Sequence, residues 1–172
     1  MLSVQIKKIA LKEAEELQMI SRATFFDAYA PFNTPENVNL YLEVSFGLEQ
    51  LKRELQDPNS EFYFAFLDST PVGYLKINFN SAQTVEGYPN STEIERIYVS
   101  KEVQGKNIGS LLIEKAKAIA RNKKHDLVWL GVWVNNFVAI EFYKKLGFEI
   151  FGEHPFLFGE DKQTDHLMKI AI

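Results

Sequence analysis

A chain of 172 residues, 46% hydrophobic and 24% charged, fits one domain spanning residues 1–172 and is long enough to bury a sizeable core. Its formal net charge of -4 lacks the basic footprint that general nucleic-acid binding requires. With no cysteine, disulfides, thiolate metal sites and a cysteine nucleophile are all excluded.

The opening residues, Met1 to Lys8, lack the uninterrupted apolar core of a signal peptide, and no segment approaches a membrane span. A cytoplasmic location without membrane attachment is therefore expected. Residues 2–9 alternate as a strand does. From Lys12 to Tyr29, Ala14, Leu17, Ile20, Ala23, Thr24 and Ala28 recur at helical spacing. Thr34 and Pro35 then read as the N-cap and first position of a helix through Tyr41 and Leu42. Gly47 breaks that helix, a further turn or two reaches Leu55, and Asp57-Pro58-Asn59 ends it.

Glu61–Leu67 and Val72–Phe79 are aromatic and β-branched runs joined by Asp68-Ser69-Thr70-Pro71, a hairpin signal. Residues 80–91 read as a polar loop and Glu93–Val99 as a strand. Next comes the turn Gln104-Gly105-Lys106-Asn107-Ile108-Gly109, with Ser110-Leu111-Leu112 running straight on into a helix. Ile108, Leu111, Leu112, Ala116, Ile119 and Ala120 form its apolar stripe. Leu127–Trp133 is apolar on both alternating faces, as an inner strand covered on each side should be. A helix from Phe137 ends at Gly147 with Lys144 and Lys145 in its last turn, and Phe148–Gly152 and Thr164–Ile170 close the sheet. The fold class is mixed α/β, with strands outnumbering helices.

Chemistry concentrates between Glu95 and Phe148. A turn such as Gln104–Gly109 presents successive backbone N–H groups at a helix N-terminus, where unpaired donors and the macrodipole favour a phosphate. Asn136 and Tyr143 lie seven residues apart on one helix, about two turns, and so project from a similar face. The pair points to group transfer beside a phosphate-bearing carrier. His125, His154 and His166 show no ligand spacing, and no metal site is expected.

This pattern resembles the GCN5-related N-acetyltransferase (GNAT) superfamily, whose phosphate loop reads Arg/Gln-x-x-Gly-x-Gly/Ala. Gln104 and Gly109 match it, while Asn107 stands where the family has an intervening glycine. Asparagine tolerates positive φ, so the left-handed turn remains accessible. Asn136, Ala139, Phe142, Tyr143, Leu146, Gly147 and Phe148 follow the family's second motif, Asn-x-x-Ala-x-x-Phe-Tyr-x-x-Leu-Gly-Phe. The layout is further similar to bacterial spermidine/spermine N-acetyltransferases linked to sporulation control, through Pro35-Glu36-Asn37 with Tyr41-Leu42, Glu93–Tyr98, Trp129–Trp133 and Gln163-Thr164-Asp165.

The resemblance implies a mostly antiparallel twisted sheet of about six to seven strands with one splayed parallel pair, flanked by about four helices. It also implies acetyl-CoA as cosubstrate. Ile97, Tyr98 and Val99 would meet the pantetheine arm with strand backbone. Gln104, Gly105, Lys106, Asn107, Ile108, Gly109 and Ser110 would hold the pyrophosphate, and Asn136 would contact the carrier unless it serves only as a helix N-cap. Tyr143 would protonate the departing thiolate, and a phenol of pKa about 10 can donate to one whose conjugate acid lies near 8.5. The implied acceptor is a primary amine, a polyamine first. Glu93 and Glu95, two apart and so on one face of their strand, would relay its proton or bind its charge, or form a solvated edge or pair with Arg96. Phe25, Phe26, Tyr29, Phe32 and Tyr41 would wall the acceptor side, with Glu36 and Glu43 available for ammonium groups. A protein, peptide or antibiotic acceptor stays open, as does a non-catalytic acyl-CoA sensor that regulates a partner. A homodimer is compatible with the chain. A dinucleotide-binding dehydrogenase and a helix-turn-helix protein both lack their sequence signatures.

Overall fold

The computed structural model describes residues 3–172; Met1 and the start of the expected first strand at Leu2 lie outside them. The described residues form seven strands and five α-helices. The strands are β1 (Val4–Lys8), β2 (Ser60–Leu67), β3 (Thr70–Asn78), β4 (Ser91–Val99), β5 (Leu127–Trp133), β6 (Glu149–Phe158) and β7 (Asp161–Ala171). The helices are α1 (Ala14–Tyr29), α2 (Pro35–Ser45), α3 (Leu48–Gln56), α4 (Ile108–Asn122) and α5 (Phe137–Lys145). One sheet runs β1-β2-β3-β4-β5-β7-β6, and its β4–β5 pair is parallel while its other neighbours are antiparallel.

Local chemistry sets the ends of these elements. Thr34 Oγ1 accepts from the Asn37 amide at 3.3 Å, capping α2 with Pro35 at its first position. The β2–β3 hairpin turns on Asp68 and Ser69, both at positive φ. A two-residue loop of that handedness matches the strand twist, so Thr70 and Pro71 join the strand rather than the turn. The sheet closes with a longer hairpin than residues 148–152 and 164–170 suggest. Pro155 lies inside β6 because β6 is an edge strand, where a missing N–H breaks no ladder.

Helices cover both faces of the sheet. On one, α4 and α5 bury Ile108, Leu112, Ile113, Ala116 and Ile140 against Ile77, Ile94, Val128, Leu130 and Met168. Leu111 is half-exposed, and Ile113 takes the core position expected of it. On the other, α1, α2 and α3 bury Leu17, Phe25, Val38, Leu42 and Leu51 against Phe62, Phe64, Tyr74 and Phe158. Truncating any of the fully buried leucines to alanine is worth about 2–5 kcal/mol.

Two irregularities in β4 open the middle of the sheet. Its register against β3 slips between the pairs Lys76↔Arg96 and Ile77↔Ile94, leaving Glu95 as an inserted, bulged residue. Its parallel pairing with β5 runs from Ser91↔Leu127 to Ile94↔Leu130 and stops there. A bulge bends and twists its strand, and the two central strands separate from Glu95 onward. The resulting gap lies between inner strands, with paired neighbours on either side.

Candidate active site

Beside this opening lies a cavity of about 610 Å³, walled by the turn before α4 and by one side of α5. Asn107 holds the turn at φ +64°, in the left-handed region, and its side chain makes no capping hydrogen bond. The Leu111 amide donates to the Asn107 carbonyl at 3.2 Å, which starts the helical ladder. The N–H groups of Ile108, Gly109 and Ser110 precede that bond and have no intrahelical acceptor. All three residues line the cavity. Gly109 permits a close approach: a Cβ there would lie 3.2 Å from Phe142 Cζ, tight enough that the ring would have to shift. Phe142 thus supports the turn from α5. Gln104 Nε2 donates to the Val99 carbonyl at 3.1 Å and fastens the turn to the end of β4.

A second cavity of about 330 Å³ continues from the first into the gap between β4 and β5. Ile97, Val99, Gln104, Asn136, Ala139 and Tyr143 line both. Asn136 caps α5, its Oδ1 accepting from the Ala139 amide at 3.2 Å, and still faces both cavities. Tyr143 is 8% exposed, and burial followed by the field of Tyr29 pushes its phenol well above the ordinary value. It therefore stays protonated across the physiological range and keeps an O–H proton to donate.

The gap opens at its far end into a third cavity of about 210 Å³, sharing Tyr29, Ile94, Glu95, Tyr98 and Gly131 with the second. Its aromatic wall stacks Phe25 on Tyr41 (centroids 4.5 Å apart) and Tyr41 on Phe158 (5.1 Å). Its acids are Glu93, Glu95 and Asp165. Glu95 sits in a charge cluster: Lys76 Nζ is 2.5 Å from Oε2, Arg96 Nη2 is 3.4 Å from Oε1, and Glu54 bonds both cations. Burial pushes the Glu95 carboxyl up, but the charges of Arg96 and Lys76 outweigh it and hold it below the usual range. Glu93, 2% exposed, accepts from the Thr84 hydroxyl and amide and from Asn78 Nδ2, which also donates to Glu95 at 2.6 Å. Burial is its largest influence, and the Glu93 carboxyl stands above the usual range. Burial likewise pushes Asp165 up to about 6, against the opposing fields of His154 and His166.

The acetyltransferase (GNAT) family model matches residues 19–148 of this chain. The chain belongs to that family. This N-acetyltransferase is 40% identical over 172 residues to an uncharacterized N-acetyltransferase of the pepI 3′ region of Lactobacillus delbrueckii subsp. lactis, covering 100% of this chain and 99% of that one. It is 27% identical over 153 residues to the spermidine N(1)-acetyltransferase of Thermoplasma acidophilum, covering 87% of this chain and 90% of the other. Its fold resembles that of the PaiA N-acetyltransferase from Thermoplasma acidophilum, solved with coenzyme A, at a TM-score of 0.82 and 24% identity over 99% of both chains.

Most residues expected at the acetyltransferase's site come together. Ile97, Tyr98, Val99, Gln104, Gly105, Asn107, Ile108, Gly109, Ser110, Asn136 and Tyr143 face the connected carrier cavities. Lys106 is exposed and outside their walls. Glu93 and Glu95 both reach the third cavity, but the bulge and their different partners give them unlike surroundings. Phe25, Tyr29 and Tyr41 line that cavity, whereas Phe26 and Phe32 are largely exposed. Glu36 and Glu43 are exposed on α2 and line none of the three cavities, so the acids facing an acceptor come from the sheet instead. Sequence reasoning missed Thr84, His154, Phe156, Phe158 and the placement of Asp165. The alternation of His154, Phe156 and Phe158 was a usable strand signal, broken in appearance by Pro155.

Proposed function

We propose that this N-acetyltransferase moves the acetyl group of acetyl-CoA directly to a primary amine, with polyamines the leading acceptors. The observation that carries the reading is the run of adjoining cavities, with shared walls, from the α4 N-terminus, past the gap between β4 and β5, to an acidic and aromatic cavity. The residues present suit the carrier. Free N–H groups at Ile108–Ser110 match a pyrophosphate, and the unpaired edge of Ile97–Val99 matches an amide-bearing pantetheine arm. Acetyl-CoA supplies the activated acyl group.

Three parts of the chain then act on the reaction. Tyr143, held protonated, donates to the developing thiolate. The aromatic wall accommodates an aliphatic amine chain, and Asp165, the acid of the third cavity that no cation pairs, attracts its cationic form. Attack is direct because no cysteine exists to carry an acyl intermediate. The name and the 27% identity of the Thermoplasma acidophilum spermidine N(1)-acetyltransferase support an amine acceptor.

The test is thiol release from acetyl-CoA across a panel of polyamines, monoamines, peptides and aminated antibiotics, with products identified by mass spectrometry. Release with spermidine that peptides do not compete away is the expected result. Release with peptides alone would move the acceptor to proteins. Binding of acetyl-CoA in calorimetry without turnover on any amine would make the protein an acyl-CoA sensor.

A further inference from the structure

We propose that Asp165, on β7, is the general base that takes the proton from the acceptor's ammonium group before attack. The assignment rests on the acetyl-transfer reading and names a residue for the step that reading leaves unassigned. An alkylammonium near pKa 10.4 is neutral in only about one molecule in two thousand at pH 7, so a proton acceptor inside the cavity is needed.

Three carboxylates line the acceptor cavity, and their partners separate them. Glu95 is bonded to Lys76 and Arg96, so its charge is already neutralised by fixed cations. Glu93 has Oε2 occupied by the Thr84 amide and Asn78 Nδ2, and Oε1 by the Thr84 hydroxyl. Asp165 differs from both. Among the described residues no hydrogen-bond donor and no salt-bridge cation reaches its oxygens, although the residue lines the cavity. It lies close against Gly131: a Cβ there would lie 3.3 Å from Asp165 Oδ2. Gly131 walls both the gap between β4 and β5 and the acceptor cavity. The glycine therefore leaves room for a free carboxylate beside the mouth through which amine and thioester would meet.

The groups around Asp165 are consistent with that task. His154 is its register partner on β6, and His166 follows it on β7. Tyr29 on α1 and Tyr41 on α2 feel its field, while Glu93, Glu95 and Arg96 of β4 share the cavity. Burial dominates over the two histidines and brings the carboxyl up to about 6, close to the pH at which a general base works best. In the step itself the ammonium proton passes to an Asp165 oxygen and the freed lone pair forms the N–C bond. The C–S bond breaks, and Tyr143 protonates the departing sulfur. The second proton lost by the amide nitrogen, and the one held by Asp165, return to solvent and the tyrosinate.

The experiment is a kcat/KM pH profile for wild type, Asp165→Asn and Asp165→Glu with two acceptors. One is spermidine; the other is trifluoroethylamine, a weak base already neutral at the assay pH. Wild type should show an acid limb near pH 6. Asp165→Asn should lose about a hundredfold or more with spermidine, lose the limb, and lose far less with trifluoroethylamine. Asp165→Glu should restore a limb and part of the rate. Calorimetric binding of acetyl-CoA to each variant verifies that it is folded. Equal losses with both amines, or an unchanged limb in Asp165→Asn, overturn the assignment. Absence of thiol release from wild type with every amine instead sinks the acetyl-transfer reading, and the base with it.

Discussion

The carrier side of the cleft is built from near neighbours in sequence: the end of β4, the turn, the start of α4 and one face of α5. The acceptor side draws Phe25 and Tyr41 from the N-terminal helices, Thr84 from a loop, Glu93 and Glu95 from β4, and Phe158 and Asp165 from the last hairpin. On the function proposed above, the first would meet something chemically constant, a diphosphate and an amide-bearing arm, with main-chain groups that any sequence retains. The second would meet its acceptor with side chains, whose identity and protonation vary freely. A cofactor site of the first kind is robust to substitution, whereas an acceptor site of the second kind is set residue by residue.

Substitutions at four positions test that contrast. The largest effect belongs at the join, where Tyr143→Phe should lower kcat by about a hundredfold or more while the KM for acetyl-CoA stays within a few-fold. Steady-state thiol release measures it, and an unchanged kcat removes the acid. Next comes the charge cluster beneath the acceptor cavity. Lys76→Met leaves Glu54 and Glu95 facing Arg96 alone, with Lys76 itself 5% exposed. Removing one partner of a buried cluster should destabilise the fold by about 3 kcal/mol, read from the urea midpoint. On the carrier side the expected effect is smaller. Asn107→Ala places an ordinary residue at φ +64° and should cost about 1 kcal/mol, with a raised KM for acetyl-CoA, whereas Asn107→Gly should cost neither.

The last test is stability against pH. Folding raises the Asp165 carboxyl from 3.8 to about 6, so the native state holds this proton more tightly than the unfolded chain. That contribution is fully present below the ordinary value and is lost as pH rises through about 6. Asp165→Asn cannot lose it. The variant should therefore gain on wild type between those limits and keep a constant lead above them, in thermal midpoints collected from pH 4 to 8. A lead that grows toward acid pH would contradict the raised carboxyl.

The legibility of these regions in sequence obeys the same division. Thr34 and Pro35 at the start of α2 and the end of α5 at Gly147 were readable because caps are decided within four or so residues, and the hairpin at Asp68-Ser69-Thr70-Pro71 was readable too, although its turn is confined to Asp68 and Ser69. The Gln104–Gly109 turn was readable for the same reason, Asn107 included. Glu93 and Glu95 were not separable. Their spacing puts them on one strand, but the bulge and the partners Lys76, Arg96, Asn78 and Thr84 come from elsewhere. Glu36 and Glu43 looked suitable as ammonium sites because composition cannot tell which side of α2 faces the sheet opening.

The amino-acid order by itself carried the family resemblance, the tight turn before α4, the alternative of an N-cap at Asn136 and the tyrosine two turns beyond it, because each is written in residues close together along the chain. Only the folded arrangement decided where the central strands part, which acid is neutralised, which is saturated and which faces the cavity with open lone pairs. Those properties depend on burial and on donors delivered by distant segments. A carboxylate's chemistry is set less by its own identity than by what surrounds it.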